Sequence, residues 1–265
     1  MTKQLVSTTT EGPVLVIRLC SSENRNSLTT ELREQLGDAV EQAERSRSVR
    51  SVLLTADGPT FCSGGDLKML QTASDPWPVH RRFRNLSRWL TPLITLDKPV
   101  VIGVRGAAVG GGLGLALTGD VLVAGENAKF ISGFFKLGAL PDIGTMYHLP
   151  RLIGMARAKN FLFSGASMSA KEALDLGLVA KVVPDEQVEE VSLAEATRLA
   201  EGPSEVMGLA KTLMARSYET SLHEMFAYEG LGQALAMSST EFREGLNAAL
   251  ERRPADFAGA SRDAG

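Results

Sequence analysis

The chain has 265 residues, and its 28 lysines and arginines stand against 31 aspartates and glutamates, for a formal net charge of −3. This mild acidity argues against a nucleic-acid-binding surface, which usually shows clustered basic charge. The two cysteines, Cys20 and Cys62, are too few for a disulfide framework. No cysteine–histidine pair has the spacing of zinc ligands, so we expect no bound metal.

The sequence also predicts where the protein resides. The first residues lack the apolar run of a signal peptide. No stretch reaches the roughly 18–20 consecutive apolar residues of a membrane span. We therefore expect a cytoplasmic protein with neither a membrane nor a nucleic acid among its partners.

Strands and helices alternate in the first half of the chain. Strands predicted over residues 5–10 and 14–19 flank a Gly-Pro turn, which is typical of a hairpin. A helix predicted over 30–45 follows Thr29 or Thr30 as its cap, because its apolar residues recur every three or four positions. Further strands are predicted over 52–56, 100–104 and 121–124, with a glycine-studded helix over 110–118. This alternation indicates an α/β fold with a mainly parallel sheet.

Helical patterns dominate beyond about residue 155. Ser169 is the predicted cap of a short helix over 171–176, which Gly177 ends, and one last strand is predicted over 179–183. A Gly-Pro break at 201–203 precedes an almost wholly helical stretch. We expect residues 1–200 to form the binding and catalytic core. Residues 201–265 form a helical region that packs on its own core or on a partner subunit.

Two glycine-rich turns, at 61–67 and 106–114, each follow a predicted strand. Where glycines lead from a strand into a helix, backbone N–H groups stay unpaired and can bind a phosphate or a carbonyl oxygen that becomes anionic. Neither turn matches a nucleotide signature; the second has Leu113 where a phosphate loop requires lysine. The alternative is that these glycines only permit close packing between helix and strand.

A series of short motifs along nearly the whole chain resembles the crotonase, or enoyl-CoA hydratase/isomerase, superfamily. These motifs lie at residues 25–28, 61–67, 106–112, 120–130, 138–141, 174–179, 229–230 and 252–254. The resemblance implies a spiral of β-β-α turns with a C-terminal helical region used for trimerisation, so we expect a homotrimer or a dimer of trimers. It also implies an acyl-CoA substrate, with coenzyme A as part of that substrate and no separate cofactor, and a place in fatty acid metabolism.

The same resemblance implies which residues form the site. The backbone N–H groups of Gly65 and Gly111 would hold the thioester oxygen. The residues implied to bind substrate and coenzyme A are Arg25, Ser63, Gly64, Asp66, Leu67, Lys68, Phe134 and Ile143. For Lys68, a solvated surface charge is the alternative interpretation.

The residues at the positions of the family's two catalytic acids indicate which reaction the resemblance favours. Hydratases of this family use two glutamates, and counting from Gly111 places Gly114 and Phe134 at those positions. Neither can carry a proton, whereas adding water to a double bond needs one group to activate water and another to protonate carbon. Asp142 resembles the single acid/base aspartate of phenylacetate-type and dienoyl-CoA isomerases, and also the nucleophilic aspartate of 4-chlorobenzoyl-CoA dehalogenase. The resemblance therefore favours an isomerase.

Alternatives to a catalytic Asp142 remain at this point. Asp142 is also a candidate cap for a helix beginning near Gly144. If it is catalytic, the apolar residues around it, Phe134, Phe135, Ile143 and Met146, would desolvate its carboxylate and raise its pKa. Tyr147 and His148 are candidates to assist it. The other functions considered are a non-catalytic acyl-CoA binder, a hydrolase or dehalogenase with Asp142 as nucleophile, and a weak hydratase.

Overall fold

Two sheets make up the β-structure of the chain, for which the computed structural model describes residues 3–66, 71 and 76–262. The strands are β1 (Val6–Glu11), β2 (Val14–Leu19), β3 (Ser51–Ala56), β4 (Val100–Val104), β5 (Ala107–Val109), β6 (Val121–Gly125), β7 (Lys129–Ile131), β8 (Ser167–Ser169) and β9 (Lys181–Val183). The larger sheet has the order β1-β2-β3-β4-β6-β9, and the smaller has the order β5-β7-β8.

Helices connect these strands, and after the last strand, β9, only helices follow in the described part of the chain. They are α1 (Thr30–Arg45), α2 (Pro76–Arg84), α3 (Leu90–Thr95), α4 (Gly111–Ala116), α5 (Thr145–Ile153), α6 (Met155–Ser164), α7 (Ala170–Asp175), α8 (Val188–Ala200), α9 (Ser204–Arg216), α10 (Leu222–Ser238), α11 (Thr240–Glu251) and α12 (Phe257–Arg262). No helix of the described residues combines the length and the apolar character that crossing a bilayer requires.

The larger sheet confirms the predicted hairpin and the mainly parallel arrangement. β1 pairs antiparallel with β2, and the pairs β2–β3, β3–β4, β4–β6 and β6–β9 are parallel. Every residue of β3 and β4 is buried. Parallel strands are covered on both faces, and this is why these two segments read as continuous apolar runs.

Two apolar layers cover the sheet on opposite sides. Leu15 and Ile17 of β2 belong to the main core together with Leu32 and Leu36 of α1. The alternate strand positions, among them Val16, form a second cluster with the alanines of α8. Because side chains alternate across a strand, β2 supplies both layers.

Helix α1 begins where its sequence predicts. The Leu32 N–H donates to the Thr29 hydroxyl oxygen at 3.2 Å, so Thr29 is the N-cap. The prediction for α7 is also confirmed, with a helix one residue earlier than expected. Its cap Ser169 and Glu172 form a reciprocal capping box.

The smaller sheet was not predicted, because its strands have only three residues each and show no periodicity of their own. It forms next to the second glycine-rich turn: β5 leads through Gly110 into α4. An isolated parallel bridge between Cys62 and Ala108 joins the first glycine-rich turn to β5. The smaller sheet thereby brings the two glycine-rich turns together.

The C-terminal helices follow the predicted break: α8 ends at Ala200 and α9 begins at Ser204. Arg50, next to β3, donates to the carbonyls of Ala200 and Gly202 at 2.7 and 2.8 Å and also to Glu241 of α11 at 2.8 Å. By contrast, none of the 17 residues of α10 is buried. This helix lies outside the core of its own chain.

Candidate active site

The two glycine-rich turns lie in direct contact. The Val109 N–H donates to the Cys62 carbonyl at 2.9 Å, and the Cys62 N–H donates to the Ala107 carbonyl at 3.2 Å. Gly64 has a φ of +82°, and a Cβ there would lie 2.5 Å from the Val109 carbonyl oxygen and 2.8 Å from the Gly111 nitrogen. Only glycine permits this approach.

This contact places the two predicted oxyanion donors on one cavity. Gly65 and Gly111 both line a cavity of about 970 Å³. Gly111 is the first residue of α4, so its N–H has no acceptor within that helix. Among the described residues, neither glycine donates its N–H to another backbone carbonyl. Both glycines therefore lie at the cavity with N–H groups that no backbone carbonyl of the described residues accepts.

The turn at residues 25–28 forms backbone hydrogen bonds with the first glycine-rich turn. The Ser63 N–H donates to the Arg25 carbonyl at 3.0 Å, and the Leu28 N–H donates to the Gly64 carbonyl at 2.8 Å. Arg25 and Asn26 both have a φ of +51°, in the left-handed region. The position of Gly65 thus depends on a turn some forty residues earlier in the chain.

The cavity brings together most of the residues that the sequence predicts for the site. Its lining includes Ser63, Gly65, Asp66, Gly111, Phe134, Asp142 and Ile143. Gly64, which packs against the Gly111 nitrogen, and the exposed Arg25 are not among the lining residues. Leu67 and Lys68 fall outside the described residues. Leu28, Leu86 and Val109 add apolar surface.

Asp142 enters the cavity next to the second donor. A Cβ on Gly111 would lie 3.6 Å from Asp142 Oδ1, which places the carboxylate beside the start of α4. Helix α5 begins at Thr145 with Gly144 at its N-cap, so the hypothesis that Asp142 occupies the cap is wrong. The Thr145 N–H donates to the backbone carbonyl of Asp142 at 2.9 Å. Asp142 therefore lies in a tight turn that leads into α5.

Neither of the two positions where hydratases of this family carry glutamates holds an acid here. At the first of them, Gly114, the packing also leaves no space for a larger side chain. A Cβ on Gly114 would lie 2.5 Å from the Ile143 carbonyl oxygen and 2.9 Å from the Thr145 hydroxyl oxygen. Phe134, at the second position, is 7% exposed and presents an apolar ring to the cavity. Asp142 and Asp66 are the carboxylates on the described part of this lining.

Of the two residues considered as assistants to Asp142, Tyr147 lines the cavity and His148 does not. The Tyr147 hydroxyl donates to the Ala215 carbonyl at 3.4 Å, and its ring lies under the Arg151 guanidinium. His148 is absent from the described lining, and burial, with Arg151 nearby, lowers its pKa. The Phe135 ring packs edge-on against Phe163 at the surface, away from the cavity. Of the four apolar residues expected around Asp142, Phe134, Ile143 and Met146 line the cavity.

Cys62, on the first glycine-rich turn, is fully buried, and burial raises the pKa of its thiol to about 12. A thiol with such a pKa stays protonated at neutral pH and is a poor nucleophile. Cys62 therefore acts in packing, which agrees with its position between β5 and α4.

Two charged residues of the cavity lining, Arg33 and Lys136, are not among the residues that the sequence predicts for the site. Arg33 is 9% exposed and lines the cavity, with its Nε donating to the Thr29 carbonyl at 3.1 Å. A signal was present, because Arg33 lies three residues before Leu36 and seven before Val40, on the apolar face of α1. Lys136 is a second cation on this lining.

Comparisons with known proteins point to one family. The sequence model described as enoyl-CoA hydratase/isomerase matches residues 9–260. The chain is 35% identical to the 1,2-epoxyphenylacetyl-CoA isomerase of Escherichia coli over 253 residues, covering 94% of this chain and 96% of that protein. It is 29% identical to the trans-2-decenoyl-[acyl-carrier-protein] isomerase of Streptococcus mutans, covering 94% of this chain and 96% of that protein.

Solved structures agree with this result. An enoyl-CoA hydratase/isomerase from Cupriavidus metallidurans superposes with a TM-score of 0.91 at 30% identity, covering 97% of each chain. An enoyl-CoA hydratase from a Polaromonas species gives a TM-score of 0.90 at 31% identity, covering 94% of this chain and 98% of that one. The predicted crotonase-type fold is thereby confirmed. Hydratases and isomerases both occur among these similar proteins.

Proposed function

Because this chain belongs to the enoyl-CoA hydratase/isomerase family, we propose that it is an enoyl-CoA isomerase with Asp142 as its single acid/base group. The observation that carries the proposal is the distribution of acids around the paired N–H donors. Asp142 lies beside Gly111, whereas Gly114 and Phe134 replace the two acids that hydration requires. Moving a double bond within one acyl chain needs only one group to remove and return a proton.

The reaction follows from this arrangement. The Asp142 carboxylate removes a proton from C2 of a 3-enoyl thioester, and the C–H electrons move into a C1–C2 double bond while the carbonyl electrons move onto the thioester oxygen. The N–H groups of Gly65 and Gly111 stabilise this enolate; each such donor contributes on the order of 10²–10³ in rate. As the enolate collapses, the protonated Asp142 returns the proton to C4. The double bond then lies between C2 and C3.

The remaining cavity residues are assigned to binding within this proposal. Ser63, Phe134 and Ile143 line the cavity and would contact the thioester and the acyl chain. The residues assigned to the coenzyme A portion are Arg25, Gly64, Asp66, Leu67 and Lys68. The reaction consumes no cofactor, because the same proton leaves and returns and coenzyme A enters as part of the substrate.

The test of this proposal is the Asp142→Asn variant assayed with a 3-enoyl-CoA. Asparagine keeps the shape of the side chain and cannot accept the C2 proton, so we expect nearly complete loss of turnover with retained affinity for the CoA ester. The appearance of conjugated-thioester absorbance measures turnover, and calorimetric titration measures affinity. Asp66→Asn is the matched comparison in the same cavity, and we expect it to raise KM more than it lowers kcat.

Four results would contradict the proposal. Full activity of Asp142→Asn removes Asp142 from the mechanism. A wild-type protein that neither converts a 3-enoyl-CoA to the conjugated thioester nor exchanges its C2 proton with deuterated solvent is a binder without catalysis. An acyl group trapped on Asp142 by mass spectrometry indicates a nucleophile in place of a base. Rapid hydration of crotonyl-CoA would show that other residues supply the two hydratase acids.

We also propose that the C-terminal helices form a homo-oligomeric interface, as a trimer or a dimer of trimers. The support is α10, whose large apolar residues lie in solvent within the single chain. Leu222, Phe226, Leu231 and Leu235 are each at least 60% exposed. Exposed apolar surface on this scale is typical of protein–protein interfaces.

A further inference from the structure

Ile143, the residue after the proposed base, has a backbone conformation that its type strongly disfavours. Its φ is +49°, and Gly144 follows with a φ of +74°. A β-branched residue in the left-handed region is an outlier that persists only where the surroundings impose it. The surroundings of Ile143 therefore show what holds this turn in place.

The residues that impose this conformation belong to α4. A Cβ on Gly114 would lie 2.5 Å from the Ile143 carbonyl oxygen and 2.8 Å from Ile143 Cβ. A Cβ on Gly111 would lie 3.1 Å from Ile143 Cγ1. Ile143 is 6% exposed, so its backbone and its side chain are both packed against the glycine face of this helix.

We propose that Gly114 and Ile143 are positioning residues for Asp142. Gly114 has no side chain, so the Ile143 carbonyl can lie directly on α4, and the Ile143 side chain fills the space in front of Gly111. Together these contacts fix the turn from which Asp142 projects toward the second oxyanion donor. Gly114 thus helps to position Asp142, and it also lacks the acid that hydratases carry at this position.

The inference depends on the proposed function for its catalytic consequence, because a base must be held within a fraction of an ångström of the proton it removes. A displacement of about 1 Å can cost on the order of 10²-fold in rate. Gly114 packs against Ile143 and Thr145 and is not part of the cavity lining, so its effect on the reaction is indirect. Changes at Gly114 should influence kcat more than KM.

The first test is Gly114→Ala. Alanine ordinarily stabilises a helix more than glycine does, so a harmful effect must come from the contact with the Ile143 carbonyl. We expect kcat to fall about 100-fold, with KM and CoA-ester affinity changed much less. We also expect faster amide hydrogen exchange at Thr145, because its N–H donates to the Asp142 carbonyl at 2.9 Å within the displaced turn.

Two further variants separate positioning from general damage. Glu190→Ala is the control, because it introduces alanine at an exposed position of α8 that is outside the cavity lining; kcat and Thr145 exchange should stay as in the wild type. Ile143→Gly adopts the same φ without strain but loses the side-chain contacts with α4, so its kcat should fall and its Thr145 exchange should become faster.

The outcomes distinguish this inference from the proposed function. Wild-type kcat and wild-type Thr145 exchange in Gly114→Ala would overturn the inference while leaving the isomerase intact. If Gly114→Ala does not fold, full turnover by Ile143→Gly would overturn it equally. If the wild-type protein moves no double bond in any 3-enoyl-CoA, the proposed function fails. Thr145 exchange still decides whether Gly114 holds the turn, because it requires no turnover.

Discussion

Asn26 shows how a single buried side chain fixes a distant functional loop. It is fully buried with a φ of +51°, a region that asparagine tolerates better than most residues. Its Oδ1 accepts from the Ser21 N–H at 2.8 Å, and its Nδ2 donates to the carbonyls of Asp57 and Thr60 at 2.9 Å each. It thus connects the end of β2 to the loop that leads to Gly65.

Replacing this side chain should loosen that loop. Asn26→Ala removes the partner of the buried Ser21 N–H and of two half-buried carbonyls, so we expect a loss of about 3 kcal/mol in the free energy of unfolding, measured by urea denaturation. Glycine adopts this φ without strain, so the loss of unfolding free energy in Asn26→Gly isolates the contribution of the hydrogen bonds. The control is Asn127→Ala, which removes an exposed 3.2 Å bond to Asp185 and should cost less than about 0.5 kcal/mol. Equal losses in both alanine variants would exclude the role given to Asn26.

At the scale of secondary-structure elements, an ionic contact ties α8 to the edge strand β9. Glu195 of α8 accepts from Arg198 Nη2 at 2.5 Å and from Lys181 Nζ of β9 at 2.7 Å. These bonds, first that of Arg198 and then that of Lys181, lower the Glu195 pKa from 4.5 to about 2. The carboxylate form is therefore favoured by the folded state.

This lowered pKa predicts how stability depends on pH. Because the folded protein binds the Glu195 proton less tightly than the unfolded chain, the contribution is complete above about pH 4.5 and disappears as the pH falls toward 2. We expect the wild type to exceed Glu195→Gln in unfolding free energy at pH 7, with the difference shrinking across that window. Glu190→Gln, exposed on the same helix, is the control. A difference independent of pH would contradict this assignment.

At the scale of the whole molecule, one buried ion pair joins the sheet to the C-terminal helices. Arg50 and Glu241 have side chains that are 7% and 0% exposed, with 2.8 Å between Nη2 and Oε1. Glu241→Gln leaves the guanidinium buried without its counter-charge, so we expect a loss of about 3 kcal/mol in urea denaturation. Asp175→Asn, in an exposed pair with Lys171, should change stability by less than about 0.5 kcal/mol. Equal effects would show that Arg50 does not anchor these helices.

The apolar face of α10 predicts how the molecule assembles. We expect the wild type to elute as a trimer or a larger multiple in size-exclusion chromatography with light scattering. A Phe226→Glu and Leu231→Glu double variant should shift toward the monomer, because a charge buried in an interface without a partner is strongly unfavourable. Met155→Glu, a charge added at a 58% exposed position of α6, is the control. A monomeric wild type would refute the proposed interface.

The sequence by itself determined the elements whose signals are local. The β1–β2 hairpin, the capped helix α1 and the Ser169 capping box could be predicted, because periodicity, caps and turn residues involve neighbours a few positions apart. The paired glycine-rich turns, with the motif pattern, also identified the fold and the candidate donors Gly65 and Gly111.

Only the tertiary structure decided what distant segments do to one another. The three-residue strands of the smaller sheet exist because they pair with one another, and only the tertiary structure places Arg33 of α1 on the same cavity as the two glycine-rich turns. The sequence showed that Gly114 cannot carry a proton, but the structure added that the Ile143 carbonyl occupies the space of its missing side chain. Such contacts join residues nearly thirty positions apart, and their geometry is set by packing that no local pattern encodes.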